Sequence, residues 1–452
     1  MQHEDKLEQS LNEEKERMQA VILPADLDHY IRKGVDKAKR LQARRKRWQR
    51  YGTSLAACLL VVGLFFSIRL SPVVAAYVSH IPGMEKLVEL IREDKGLQRA
   101  AEHRMVQNVG ESIQQGAIRF SVDEVLMDER RMLIFYTLSQ DRSDQVLSLH
   151  KVELLDTAGN PWGLGGASWS HNLEPGQTTK NRIDFTFEER GEVPDFLQLR
   201  ATISIDGEEQ DTPVNVVFAI DKTKFVVHQP ISYEVNQEVQ VDSQRFTVES
   251  ITAYPTQTEV RIRFDPANTK HIFEFDQLEL EDEKGATYAF WGNGLPYSRE
   301  GDDVVIYHLE SIYFAKFEQL MLQAKGIRAL DKDKLTVTID ARTGDFTKIP
   351  DERLRLDALR QRDDVVGMDL SLIVDEIDHS RYVSLLGELT DDLGNEYDLL
   401  QSTSSSDYPS KNIQLYGHLF KRLTSHGTPS EYSFTLYSYP TRLTEGFAIK
   451  IK

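Results

Sequence analysis

The chain has 452 residues, a formal net charge of −18 and a single cysteine, Cys58. An acidic balance of that size repels phosphate and argues against nucleic acid as the partner of the bulk of the chain. One cysteine excludes a disulfide framework and a thiolate zinc site, and the length allows about two to four domains held together by apolar burial alone.

Residues Met1 to Gln19 are charged and lack an apolar face, so they predict a frayed helix or disorder. From Pro24 the pattern changes. Leu27, Tyr30, Ile31, Gly34, Val35, Ala38 and Leu41 recur at spacings of three and four and line one side of a helix, with Arg32, Lys33, Lys37, Lys39 and Arg40 opposite. Pro24 suits the first turn, where a missing N–H is harmless. The simpler reading lays this helix on the inner leaflet of a membrane, apolar face in lipid. The sharper reading makes it a docking helix, with Leu27, Ile31, Val35 and Ala38 entering a groove on a cytoplasmic partner.

A block of positive charge, Arg44, Arg45, Lys46, Arg47 and Arg50, then gives way to an uncharged apolar run that ends at Ile68. About 18 residues of helix at 1.5 Å each cover roughly 27 Å, close to the hydrocarbon thickness of a bilayer. We read residues 51–70 as one transmembrane helix. The basic block predicts a cytoplasmic N-terminus in contact with anionic lipid, and extracytoplasmic domains after it. A cleavable signal peptide is the rival, because Val73 and Ala75 are spaced like a cleavage site; against it stands a leader of about fifty residues, far longer than such peptides carry. A large exterior without disulfides fits a bacterial envelope.

Residues 71–111 predict a helical juxtamembrane connector: Met84, Leu87, Val88 and Ile91 are at helical spacing after the turn Ile81-Pro82-Gly83, and a second short helix follows from Gly96 to Arg104. After Gly116 the period becomes alternating. Three paired-strand openings recur: Ile118–Val125 with Met132–Leu138, Arg245–Ile251 with Glu259–Phe264, and Asp369–Val374 with Tyr382–Leu386. Each is followed by an aspartate, a glycine three on and an aromatic three further on: Asp156, Gly159 and Trp162; Asp282, Gly285 and Tyr288; Asp391, Gly394 and Tyr397. Closing strands are expected at Val216–Ile220, Leu335–Ile339 and Gly446–Ile451, one per repeat. The fold class is therefore mainly β, with tandem immunoglobulin-like β-sandwiches over residues 112–222, 226–343 and 364–452. Ile349, Pro350 and the charged residues Asp351 to Asp364 are expected to link the last two.

Motifs that could carry chemistry are weak. Turn carboxylates invite a calcium reading, but each copy offers too few oxygens, and aspartate with glycine is sufficient for a hairpin turn. Gly163 to Ser168 has the glycine content of a phosphate loop without its lysine-hydroxyl pair, so a flexible hairpin loop is the better reading; Trp162 and Trp169 beside it are candidate surface aromatics for a glycan. Ser148 and Lys151 have serine–lysine acylase spacing, but in a strand that separation turns the two side chains to opposite faces. No metal ligand set, cofactor motif or catalytic site is read from the sequence, and the chain is expected not to be an enzyme.

The text from Ala75 to Leu97, then Ile118–Val125 and Arg131–Tyr136, resembles domain-of-unknown-function family 4179 of Gram-positive, mostly spore-forming bacteria. That resemblance implies a single-pass membrane protein of the kind associated with extracytoplasmic-function sigma factors and sometimes labelled anti-sigma. It implies no catalytic residues. The chain lacks the His-x-x-x-Cys-x-x-Cys of zinc-binding anti-sigma factors, so contact with a sigma factor would fall to the helix from Pro24 to Leu41. The expected function is a membrane-anchored sensor or regulator in the cell envelope; the alternative is a structural or adhesive surface protein that binds wall polymer or another envelope protein.

Overall fold

A computed structural model of the protein describes residues 85–452 apart from 141–144, 170–177, 190, 210–211, 226–227, 291–295, 376–377, 379–381, 383–384, 407–411, 425 and 444. The chain divides into two bodies, Met1–Ala76 and Tyr77–Lys452. The expected amphipathic helix with Leu27, Ile31, Val35 and Ala38, the basic block from Arg44 to Arg50 and the apolar run 51–70 all lie outside the described residues. Among the described residues no helix is long and apolar enough to cross a membrane.

Alternation builds the second body from antiparallel strands. The first module contains β1 (Gln107–Gln115), β2 (Ile118–Met127), β3 (Arg131–Gln140), β4 (Leu147–Leu155), β5 (Leu164–Trp169), β6 (Thr179–Glu189), β7 (Phe196–Ile205), β8 (Glu208–Glu209) and β9 (Val214–Ala219). One sheet has the order β1-β2-β3-β6-β5; the other joins β4, β8 and β9 to β7. Their inner faces share one core that includes Phe120, Tyr136, Ile183, Leu199 and Phe218. Each such side chain contributes roughly 2 kcal/mol of transfer free energy.

Strand β3 is buried on both faces, which explains its nearly unbroken apolar text. Met132, Ile134, Tyr136 and Leu138 enter the module core, whereas Leu133 and Phe135 point the other way. That outer face is covered by two helices, α1 (Glu85–Ile91) and α2 (Lys95–Glu102), through Leu87, Ile91, Leu97 and Ala100. Asp94 caps α2, its side chain accepting from Leu97 N at 2.9 Å.

The second module contains β10 (Ile231–Val241), β11 (Gln244–Ala253), β12 (Thr258–Phe264), β13 (Lys270–Asp276), β14 (Glu279–Asp282), β15 (Thr287–Tyr288), β16 (Tyr297–Glu300), β17 (Val304–Leu309), β18 (Leu320–Ala324) and β19 (Gly326–Asp331). The third contains β20 (Thr336–Asp340), β21 (Phe346–Lys348), β22 (Leu354–Arg362), β23 (Val365–Ile373), β24 (Leu386–Asp391), β25 (Tyr397–Ser406), β26 (Ile413–Arg422) and β27 (Glu431–Leu436). The chain ends in β28 (Arg442–Leu443) and β29 (Phe447–Lys450). The sheet β10-β11-β12-β17-β16 repeats the strand order of the first module's larger sheet.

The closing strands differ from the sequence expectation. β29 does not close the third module: it pairs with β18, Leu322 opposite Ile449, and Phe447 and Ile449 enter the second core. β20 does not close the second module: it pairs with β27, Val337 opposite Phe434, and Val337 and Ile339 enter the third core. The two modules have exchanged closing strands, so the third is inserted between β19 and β28. Both strands carry an apolar-x-apolar pattern that fits either groove, so local sequence does not say which partner each takes.

Two further expectations are corrected. Residues 351–364 are not a bare linker, since Leu354–Arg362 form β22 against β23. The third opening is not a strand pair, because β23 pairs with β26, whereas Tyr382 and Leu385 are buried in the third core. Strands β1, β10 and β22 went unread because they are sheet edges with mostly half-exposed or exposed side chains, which weakens the alternation.

Candidate functional site

A cluster of buried charge lies where the helices, the first module and the second module meet. It begins in the turn between β2 and β3. Asp128 is 1 % exposed and accepts from Arg130 N and Arg131 N at 2.8 and 3.0 Å, and from Thr256 N and Oγ1 of the second module at 2.7 Å each. Burial holds its pKa above the ordinary carboxylate value, although these donors pull the other way.

Arg131 opens β3 and is likewise buried. Its Nε and Nη2 hold both oxygens of Asp184 at 2.8 and 2.5 Å, and Nη1 donates to Thr256 O at 3.1 Å. Asp94, the α2 cap, lies 3.6 Å from the same nitrogen. Burial works against the guanidinium charge, but Asp184 and Asp94 hold its pKa above the ordinary value. Beside it, Arg130 reaches Tyr254 Oη at 3.3 Å and Glu259 at 3.2 Å. Arg182 donates to Leu90 O of α1 at 3.0 Å. A single tie is worth little at a surface, but buried and fully hydrogen-bonded ones fix register.

Next to this cluster a cleft of about 350 Å³ opens between the modules, lined by Arg131, Gly166, Asp184, Gln257, Phe290 and His308 among others. His308 Nδ1 lies 3.1 Å from Gln257 Nε2. Burial, then Arg131 and Arg130, push its pKa down to about 4, so the imidazole is neutral near pH 7. Two residues on, Glu310 is 3 % exposed, and burial together with Asp94 pushes its pKa up to about 7. The arrangement can hold two modules and a helix in one register. Among the described residues no group of three histidines, cysteines or carboxylates is placed to hold a metal ion.

The repeated aspartates are turn residues. Asp156 accepts from Ala158 N and Asn160 N, Asp282 from Lys284 N and Ala286 N, and Asp391 from Leu393 N and Asn395 N, all at 2.8–3.0 Å. Tyr288 and Tyr397 also donate their hydroxyls to Asp282 and Asp391. Gly159, Gly285 and Gly394 all take positive φ.

Trp162 is not a surface aromatic: it is buried in the first core and donates to Glu192 O at 3.2 Å. Trp169 is half-buried and bonded to Leu149 O. The glycine run is not a flexible loop but the edge strand β5, where a Cβ on Gly165 would lie 1.9 Å from Thr186 O. Ser148 and Lys151 do not face opposite ways, because a bulge between Leu149 and Lys151 turns both away from the core; Lys151 pairs instead with Glu153 at 3.0 Å.

None of the expected partner-binding or membrane-surface residues lies among the described residues. Sequence reasoning passed over Asp128, Arg131, Thr256 and Glu310. The available signal was a charged residue heading an otherwise apolar strand, Arg131, and a carboxylate set between Leu309 and Ile312.

Two family models match the chain: "Domain of unknown function (DUF4179)" over residues 44–140 and "Family of unknown function (DUF5643)" over residues 231–352. The first covers the basic block, the apolar run, both helices and β1–β3. The second runs from β10 through β20 and β21 and stops short of β29. No curated protein matches the chain. Among solved structures the chain is similar to a conserved domain protein from Bacillus anthracis, at 11% identity over 54% of this chain and 84% of that one, with a TM-score of 0.36.

Proposed function

We propose that this chain, which carries a domain of the family Domain of unknown function (DUF4179), is a single-pass membrane protein that senses or regulates from the outer face of a bacterial cell membrane. In this reading residues 51–70 span the bilayer, the N-terminus is cytoplasmic and the three modules are extracytoplasmic immunoglobulin-like sandwiches. The observation that carries it is the seating of α1 and α2. These helices are the first described elements after the apolar run in the sequence, and α2 is tied to both the first and the second module, through Arg131–Asp94 and Glu310–Lys95. A change in how the modules meet would therefore reach the segment that leaves the membrane. On the inner side, Leu27, Ile31, Val35 and Ala38 would hold or release a cytoplasmic protein, a sigma factor being the candidate. No catalytic role is proposed.

A reporter fused to the amino terminus tests the arrangement: cytoplasmic activity is expected, and activity outside the cell overturns it. The inner role is tested by recovering cytoplasmic proteins on the full chain and on a variant with Leu27→Asp, Ile31→Asp and Val35→Asp. Equal recovery removes it.

A structural or adhesive role is the second reading. It is favoured by exposed apolar residues on the third module, Leu399, Leu400, Leu423 and Tyr437, all more than half exposed. Retention of the full chain on peptidoglycan or teichoic acid, lost on changing Leu399 and Leu423 to Asp, would support it; no retention would count against it.

A further inference from the structure

We infer that Glu310 is an acid-engaged clasp that holds α2 against the second module. Its carboxyl stands just beyond β17 and is 3 % exposed. Oε1 accepts from Lys95 N, the first residue of α2, at 3.3 Å, while Oε2 has no hydrogen-bond partner among the described residues. The seam around it is close. Lys95 Nζ donates to Thr287 O at 2.7 Å, Arg99 Nη2 lies 3.5 Å from Tyr288 Oη, and its guanidinium lies over that ring at 5.2 Å. Gly96 meets Ser311 so tightly that a Cβ would lie 2.5 Å from Ser311 N. No side chain larger than hydrogen fits there without moving the helix.

Such a site treats the two forms of a carboxyl unequally. The ionised group is buried with a single long hydrogen bond, and Asp94 on the helix adds a second negative charge. Lys95 and Arg99 from the helix oppose this in part, and the Tyr288 hydroxyl is engaged by Arg99 and Asp282. The protonated group carries no net charge and leaves only a neutral hydroxyl unmet, which costs less than an unmet charge. When α2 lifts away, Glu310 meets water and regains its ordinary acidity.

The sign follows from linkage. The docked pKa, about 7, exceeds the ordinary 4.5. The clasp therefore contributes fully below about pH 4.5 and is lost as the pH rises through about 7. Lifting of α2 should rise on the order of 30-fold between pH 5 and pH 7 and level off above. The acidity outside the second module would thus set how firmly the helices after the apolar run are seated. The clasp stands on described residues alone, so a topology result that removed the membrane reading would leave it in place.

Hydrogen exchange on the full-length chain tests it, reading the amides of Leu97 to Arg104 between pH 5 and pH 7 against those of β11, after correction for intrinsic exchange. In the wild type the relative opening of α2 should rise with pH, and in Glu310→Gln it should stay flat. His103 and His228, which contact Phe314 near the end of α2, are common to both proteins and cancel in the difference. Equal pH dependence in the two proteins overturns the clasp. Should the glutamine variant lose protection in β17 as well, the carboxyl carbon of wild-type Glu310 is followed by NMR. Titration near pH 7, moved to lower pH by Asp94→Asn, supports the clasp; titration near 4.5 overturns it.

Discussion

Arg131 of the first module donates through Nη1 to the backbone carbonyl of Thr256 in the second, at 3.1 Å. The same guanidinium grips Asp184 with its other nitrogens, and Thr256 in turn donates twice to Asp128. Each charge in this seam is held by a partner on another element, so removing one member leaves another uncompensated in a dry place. Arg131→Met should cost about 3–5 kcal/mol, because Asp184 and Asp94 lose the guanidinium they face. Thr256→Val keeps the backbone bonds and loses only the hydroxyl, so about 1 kcal/mol is expected. Urea unfolding of the full chain checks both; equal effects would show that the guanidinium has no special part in the seam.

The exchanged closing strands make a prediction about location. Phe447→Ala should cost about 3–5 kcal/mol and release protection of β18 amides in the second module, leaving β27 protected. Ile339→Ala should cost about 2–5 kcal/mol and do the reverse, releasing β27 and sparing β18. Residue-resolved hydrogen exchange reads the pattern directly. If Phe447→Ala loosened the third module instead, the strand pairing would be wrong.

Acid should weaken the fold through two poorly hydrated imidazoles, one half-buried and one buried. His308 is held near 4 by burial and by Arg131 and Arg130, and burial alone lowers His418, whose ring nitrogens have no hydrogen-bond partner among the described residues. The unfolded chain takes up these protons at an ordinary 6.5 and the folded chain does not. The stability is therefore present above about 6.5 and lost as the pH falls toward 4. Glu310 runs the opposite way and offsets part of the loss. His308→Asn keeps a hydrogen-bond acceptor and should flatten the acid limb between pH 7 and pH 4.5 by about 1–3 kcal/mol. Denaturant midpoints across that range decide it, and an unchanged slope would place the acid sensitivity elsewhere.

The repeated aspartate turns should differ in weight although they share a pattern. Asp391 is buried and holds two backbone N–H groups, the Asn395 amide and the Tyr397 hydroxyl. Asp391→Ala should cost about 1–3 kcal/mol by stranding those donors. Asp156 makes the same backbone bonds in the open, so Asp156→Ala should cost clearly less. Added calcium or a chelator should shift neither melting temperature. A calcium-dependent rise abolished by either change would restore a metal role to these turns.

Much of the secondary structure was legible because its causes are local. The run from Arg131 to Leu138 reads as a strand from its own residues, and Asp282 to Tyr288 reads as a turn because one side chain and one positive-φ glycine build it. The edge strands β1, β10 and β22 were not legible, since an edge buries little and so carries little apolar period. Trp162 gave no sign of its burial, because Phe187 and the Glu192 carbonyl that enclose it come from later in the chain.

By itself the sequence determined the mainly β character, the positions of several core strands and of the repeated aspartate turns, and the charge-to-apolar step from Arg50 to Ile68. These depend on neighbours within a few residues, where periodicity and turn chemistry act. Only the tertiary structure decided that β20 and β29 close each other's expected modules, that Asp128 and Arg131 meet Thr256, and that Arg131 and Glu310 meet the start of α2. The reason is range: two strands with the same alternation are not told apart by their own residues, and a buried charge is tolerable only beside partners that here come from distant parts of the chain.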